Sequence, residues 1–264
     1  MPGRSGPLTF PRVLEAASAG GGFWFPTDPL RDPEFLARAE AATAAMCRGL
    51  VKTYRTATES VTALDGVTFL IPRSQVTVVV GPSGSGKSSL LRLLACIDSP
   101  DSGEVRIAGQ RVDKMGVRAR RALRRREIAY LFQRPGDNLL PYLDAVEQVQ
   151  LAARLRRSPV TVAEARELLE RLALDHRADH RPAQLSGGEQ QRLAVACGVV
   201  GDPALVIADE PTAELDTAAA GRVLAAMTEM ASAGVGFVLS SHDPRVMAIA
   251  DGFIRLDHGR LVAA

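Results

Sequence analysis

An α/β domain with a mostly parallel sheet is the fold that this 264-residue sequence predicts. Three observations lead to it. Short apolar, β-branched runs such as "VTVVV", residues 76–80, mark strands buried on both faces. Such runs alternate with amphipathic helical stretches along much of the chain, the pattern of parallel strands joined by crossover helices. The run at 76–80 also leads straight into "GPSGSGKSS", a glycine-rich turn that opens a helix.

The elements follow in order. Residues 1–46 form an extension rich in Pro, Gly and Ala, with an aromatic knot at Phe23, Trp24 and Phe25. A short helix is expected from Asp32 to Ala45, with Asp32 as N-cap and Pro33 at the first helical position. The extension reads either as a loose appendage or as an arm that docks through Trp24, and Met46 offers an alternative translation start. Residues 47–264 are regular. "LVKTYR" reads as a strand, "VTALDGVTFLI" as a turn and a strand, "EVRIAG" as a strand, and "VRARRALRRRE" as a basic helix leading into the strand "IAYLF". "DAVEQVQLAARLRR" and "TVAEARELLERLAL" are helices without an intervening strand, so a helical subdomain is expected at about 134–185. "ALVIAD" and "GVGFVLSS" are buried strands separated by an Ala-rich helix, and "GFIRLDHGRLV" is a hairpin.

Composition narrows the function classes. A net charge of +2 argues against bulk nucleic-acid binding. No apolar run approaches the roughly 20 residues of a membrane span, and the Pro- and Gly-broken start is a poor signal peptide, so a cytoplasmic location is expected. Cys47, Cys96 and Cys197 give neither a disulfide framework nor metal-ligand spacing and read as small buried residues. Lysine occurs only at 52, 87 and 114, so a lysine inside a glycine-rich turn is informative.

That turn fits G-x-x-x-x-G-K-[ST] at every fixed position, between a buried strand and a helix. Gly81, Gly84 and Gly86 let the backbone wrap a phosphate, and the loop amides and the helix N-terminus point at the anion. Lys87 supplies a point charge to the terminal phosphates, and the Ser88 hydroxyl is an oxygen ligand suited to Mg²⁺. The nucleotide-binding set is therefore Gly81, Ser83, Gly84, Ser85, Gly86, Lys87, Ser88 and Ser89. "ALVIADE" ends in two acids. At a strand's carboxyl end beside such a loop, Asp209 suits the metal and Glu210 suits the base that activates water.

A second turn, "LSGGE", has donors and the Ser186 hydroxyl but no cation. A helix terminus alone contributes about 0.3–1 kcal/mol to an exposed anion, too little to capture ATP. Such a turn works on a phosphate already held elsewhere. The economical reading is that Ser186, Gly187 and Gly188 close over the ATP of a second copy.

With these motifs the chain resembles the ATP-binding subunits of ABC transporters from about Leu50 to Val262. "GPSGSGKSS" matches the Walker A loop, "LSGGEQQR" the signature, "LVIADEPT" Walker B with Glu210 as catalytic acid, and "AELD" the D-loop ending at Asp216. "SSHD" matches the switch histidine at His242, "LFQ" the Q-loop at Gln133, and "KTYR" the aromatic at Tyr54 that stacks on adenine. A histidine directly after a buried strand also suits contact with the γ-phosphate. The resemblance implies a P-loop NTPase of ABC type, with an antiparallel β subdomain and an α-helical subdomain beside the parallel core. It implies Mg²⁺ ligation by Ser88, Gln133 and Asp209, and catalysis by Glu210, His242, Gln133 and Lys87. It further implies head-to-tail pairing with a second copy or a homologous ATPase, and a separately encoded membrane permease. The chain would then be peripheral on the inner face of the cell membrane.

Within the family, "NLLPYLDAVEQV" and "LDHRADHRPAQLSGGEQQR" look like ATPases of the lipoprotein-releasing and macrolide-exporter type. The chain departs from the family pattern at "RPGD", residues 134–137, which lengthens the segment after Gln133 that in such proteins faces the permease. It departs again at Gln148, at Cys197-Gly198 and at Ala213-Glu214, and none of these removes a nucleotide ligand.

Two features invite over-reading. His176 and His180 are spaced i, i+4 but lack a third metal ligand. The arginines at 118, 120, 121, 124, 125 and 126 read as a solvated face, with anionic lipid headgroups as the sharper alternative. Three functions compete: a transport motor, a regulatory ATPase signalling through an FtsX-like membrane partner, and a soluble ABC protein acting on DNA or ribosomes. The third normally carries two cassettes or a long coiled coil in one chain, and this sequence has neither.

Overall fold

A computed structural model describes residues 42–55 and 59–262. Two sheets make the framework. The first is antiparallel, in the order β2 (Ser60–Pro72), β1 (Thr43–Arg55), β4 (Ser102–Ile107), β5 (Gln110–Arg111). The second has the order β10 (Arg260–Leu261), β9 (Gly252–Asp257), β3 (Val76–Val80), β8 (Gly236–Ser240), β7 (Leu205–Asp209), β6 (Ile128–Leu131). All its pairs are parallel except the β9–β10 hairpin.

Period-two burial explains the unbroken apolar runs. Val79, Leu205, Ile207 and Val238 face one core with α1 (Lys87–Leu94) and the antiparallel sheet. Val78, Val206, Phe237 and Leu239 face the other core. There they meet α3 (Ala145–Arg156), α5 (Gly187–Val199) and α6 (Thr217–Ser232). With both faces covered, each strand must be apolar throughout.

The two helices expected to stand apart are α3 and α4 (Val162–Arg171), each opened by a capping box: Asp144 with Glu147, and Thr161 with Glu164. The basic run forms α2 (Val117–Glu127), in which Leu123 is the buried residue. A short α7 (Pro244–Ala248) follows β8. Cys47 and Cys96 are buried, and burial pushes the Cys96 thiol up to about 11.

Two expectations need correction. The helix from Asp32 to Ala45 falls mostly outside the described residues, but its last three residues, Thr43 to Ala45, open β1 instead. Ala44 and Ala45 are buried, and Ala45 pairs with both Ile71 and Ile107. Cross-strand burial outweighs the helical propensity of alanine there. The turn expected within "VTALDGVTFLI" is absent, because residues 60–72 run as one strand with Gly66 at φ +70° and irregular register.

Candidate nucleotide site

β3, β8 and β7 are parallel neighbours, so Val80, Ser240 and Asp209 end on the same side of the sheet. The loop after β3 is held from both flanks. A Cβ on Gly81 (φ +153°) would lie 2.1 Å from the Leu256 carbonyl oxygen, and one on Gly86 (φ +102°) would lie 2.2 Å from that of Ala63. Only glycine fits either place. The β9–β10 turn, with His258 and Gly259 both at positive φ, clamps the loop. Gly259 N donates to Ser85 O at 3.0 Å, while Asp65 N donates to Gly259 O at 2.8 Å.

Gly86 is the N-cap of α1. The Lys87 ammonium folds back over its own loop and donates to Gly81 O at 2.7 Å and Pro82 O at 2.9 Å. Ser83, Gly84 and Ser88 are exposed, and Ser89 is half-buried in the first helical turn. Ser85 is buried, and its Oγ has no hydrogen-bond partner among the described residues.

The carboxylates are fixed from β8. Ser240 Oγ donates to Asp209 Oδ1. Ser241 Oγ donates to Glu210 Oε2 at 2.9 Å, and Glu210 N donates to Ser240 O at 3.0 Å. Glu210 has φ +46°, a conformation that costs a non-glycine residue energy and that concentrates at working sites. Asp243 anchors the segment after β8. It accepts from Thr212 Oγ1 at 3.0 Å and from Arg245 through two guanidinium nitrogens. The Arg245 hydrogen bond leads the causes that lower the Asp243 carboxyl to about 2.

Gln133 and Asp209 line one cleft of about 380 Å³, together with Tyr130. His242, exposed, lines a second cleft of about 510 Å³ with Gly81 and Pro82. The loop after Gln133 is a 3₁₀ turn, Pro135–Asn138, whose Asn138 side chain accepts from Phe132 N at 3.0 Å and reaches the Phe132, Arg134 and Pro135 carbonyls. Tyr54, next to last in β1, is 37% exposed, with its hydroxyl donating to Asp98 at 3.0 Å and the Lys52 ammonium 5.3 Å from its ring centre.

Neither cleft is lined by Ser186, Gly187 or Gly188. Ser186 is the N-cap of α5 and forms a capping box with Glu189. Burial alone would raise the Glu189 carboxyl, but the Ser186 amide and the Arg177 guanidinium outweigh it and bring it down to about 2. A Cβ on Gly188 would lie 2.8 Å from that of Ala219 in α6, so α5 and α6 touch there backbone to side chain. Asp216 caps α6 by accepting from Ala219 N at 2.8 Å.

Sequence reading paired Asp209 with Glu210 but missed Ser240 and Ser241, which orient both. It also missed Asp243 with its Thr212 and Arg245 partners. Their signal is position alone: four of the five lie within two residues of His242 or Glu210, and Arg245 lies three beyond His242. His176 lies in a 3₁₀ turn rather than an α-helix, and no group of three or more His, Cys, Asp or Glu among the described residues is placed to hold a metal. The Ser88 hydroxyl, the Gln133 amide and the Asp209 carboxylate offer oxygen atoms, the donor type that Mg²⁺ accepts when phosphates and water complete its shell.

The family model described as "ABC transporter" matches residues 64–213. The chain belongs to the ABC transporter family. It is an ATPase cassette of that family, similar to the LolD and MacB type. It is 41% identical over 218 residues to the lipoprotein-releasing system ATP-binding protein LolD of Chromohalobacter salexigens, covering 81% of this chain and 91% of that one. It is 38% identical to the macrolide export ATP-binding/permease protein MacB 1/2 of Paracoccus denitrificans over 82% of this chain, but over 32% of that longer protein. Among solved structures, a dimeric ATP-binding cassette in a post-hydrolysis state bound to ADP and Pi superposes with a TM-score of 0.73 at 30% identity, covering 83% of this chain and 97% of that one.

Proposed function

We propose that this cassette binds and hydrolyses ATP as a head-to-tail dimer and drives a separately encoded membrane permease, an exporter of the lipoprotein-release or macrolide type. One observation carries the reading. Lys87, Asp209, Glu210 and His242 gather at the carboxyl ends of β3, β7 and β8, while Ser186, Gly187 and Gly188 stand on another helix outside both clefts. Two copies facing each other bring each half to the other. The dimeric relatives support this pairing.

In this reading the loop from Gly81 to Ser89 cradles the phosphates, and Tyr54 stacks on adenine. Ser88, Gln133 and Asp209 hold Mg²⁺, which when bound neutralises phosphate charge. Lys87 turns from its own carbonyls to the terminal phosphates. Glu210, held by Ser241, takes the proton of the attacking water, and His242 contacts the γ-phosphate. Ser186, Gly187 and Gly188 of the second copy close the site, next to Asp216. The helical arm, about residues 134–185, meets the permease. No helix among the described residues is long and apolar enough to cross a membrane. In this reading the cassette sits on the inner face of the membrane through its permease partner.

The test is a sizing experiment. Glu210→Gln keeps ATP but cannot deprotonate water, so light scattering with Mg-ATP should report a stable dimer that dissociates without nucleotide. A monomer under both conditions contradicts the pairing.

A further inference from the structure

The exposed ring of Tyr54 is held at its tip by a second element. Its hydroxyl donates to Asp98 Oδ2 at 3.0 Å. The Arg92 guanidinium donates to both oxygens of the same carboxylate, through Nε at 2.8 Å and Nη2 at 3.3 Å. Arg92 stands in the last turn of α1, the helix whose first residue is Lys87. At 1.5 Å per residue the two are about 7.5 Å apart along its axis. One helix therefore carries the lysine of the phosphate loop at one end and the anchor of Tyr54 at the other.

The turn after α1 fixes Asp98. Cys96 is left-handed, at φ +53°, and the amides of Ile97 and Asp98 both donate back to Arg92 O, at 3.0 Å and 3.3 Å. The same turn grips the end of β1. Asp101 N donates to Val51 O at 2.9 Å, and Thr53 N donates to Asp101 Oδ2 at 2.6 Å. The Lys52 ammonium donates to Asp101 Oδ1 at 3.4 Å while it lies over the Tyr54 ring. The Arg92 hydrogen bond leads the causes that hold the Asp98 carboxyl below its ordinary pKa, so Asp98 stays ionised and accepts the tyrosine proton.

A ring 37% exposed near a strand end has more than one χ1 rotamer open to it unless something restricts it. Ordering such a side chain at the moment of binding lowers affinity, and a ring ordered beforehand avoids that loss. A tether at the hydroxyl acts at the edge of the ring, so it restricts the ring without occupying a stacking face. We infer that Asp98, oriented by Arg92, is a positioning residue for the nucleotide base: it holds the Tyr54 ring in its stacking pose before nucleotide arrives. The inference rests on the reading that Tyr54 stacks on adenine. It adds the group that orders the ring and the helix that links that group to the phosphate loop.

The experiment titrates the full chain by calorimetry with ADP and with inorganic pyrophosphate, which has the phosphates and no base. Asp98→Ala should weaken ADP about three- to tenfold, the range for ordering one side chain on binding, and leave pyrophosphate unchanged. Tyr54→Phe keeps the ring and loses the hydroxyl, and should weaken ADP by a similar factor. Combining the two should add nothing, because both remove the same hydrogen bond. Asp98→Asn keeps an oxygen for the hydroxyl and should bind ADP more tightly than Asp98→Ala. Equal weakening of ADP and pyrophosphate would overturn the inference and assign Asp98 to the stability of α1 and its loop. An unchanged ADP affinity in Asp98→Ala, or losses that add in the double variant, would overturn it too. Tyr54→Ala separates the two levels. If it binds ADP like the wild type, the adenine stack fails and the tether with it. If it loses ADP affinity while Asp98→Ala does not, the stack stands and the tether alone fails.

Discussion

Glu210 is where single-residue chemistry is most exposed to test. Its backbone is left-handed, and Ser241 after β8 donates to one of its carboxylate oxygens. Glu210→Gln should lower kcat by roughly 10² or more while leaving ATP binding intact, as loss of a general base does; a steady-state assay paired with nucleotide-binding titration checks both halves. Lys87→Ala should remove binding and turnover together. The Lys87 loop was legible in the sequence because its determinants are consecutive: strand, glycines, lysine, helix. Ser240 and Ser241 were not, because their acceptors lie 31 residues away on the adjacent strand and only the parallel register of β7 and β8 brings them together.

The element that carries the signature shows how a motif has two explanations at once. Ser186 and Glu189 satisfy the first amides of α5, so this turn is a helix start whatever else it binds. Glu189 should contribute stability with a defined pH window. Its folded pKa of about 2 lies below an ordinary value of about 4.3. Its contribution is therefore complete above that ordinary value and is lost as pH falls toward 2. Glu189→Gln should melt lower than the wild type at neutral pH, and the two melting temperatures should converge in acid. Gly188 is legible as a glycine of the motif, but its packing role is not, because Ala219 is remote in sequence. Gly188→Ala should cost about 1–3 kcal/mol by overpacking against α6. Ala219→Gly should restore part of that loss in the double variant despite its own helix cost, as thermal melts of the four proteins would show. Additive losses would mean that the contact is not what excludes a side chain there. At the same scale, the helix expected up to Ala45 failed where β1 begins, since alanines buried between two strands follow pairing rather than propensity.

At the scale of the whole molecule, the mostly parallel sheet was legible in the short apolar runs and the family in its motifs, whereas the strand order and the two cores emerge only from the pairing and packing of strands distant in sequence. What a single chain leaves apart is the site itself. Lys87, Asp209 and Glu210 form one half, and Ser186 and Gly188 form the other, on α5. The account claims that each ATP is bound by the first half of one copy and the second half of its neighbour. The most direct measurement mixes two disabled proteins in the Glu210→Gln background. One carries Lys87→Ala and keeps its signature; the other carries Ser186→Arg and keeps its phosphate loop. ATP retained after rapid desalting is counted for each protein alone and for the mixture. The account predicts little retention by either alone and clear retention by the mixture, because mixed dimers contain one complete site. Retention by the Ser186→Arg protein alone, or a mixture no better than its components, would contradict it.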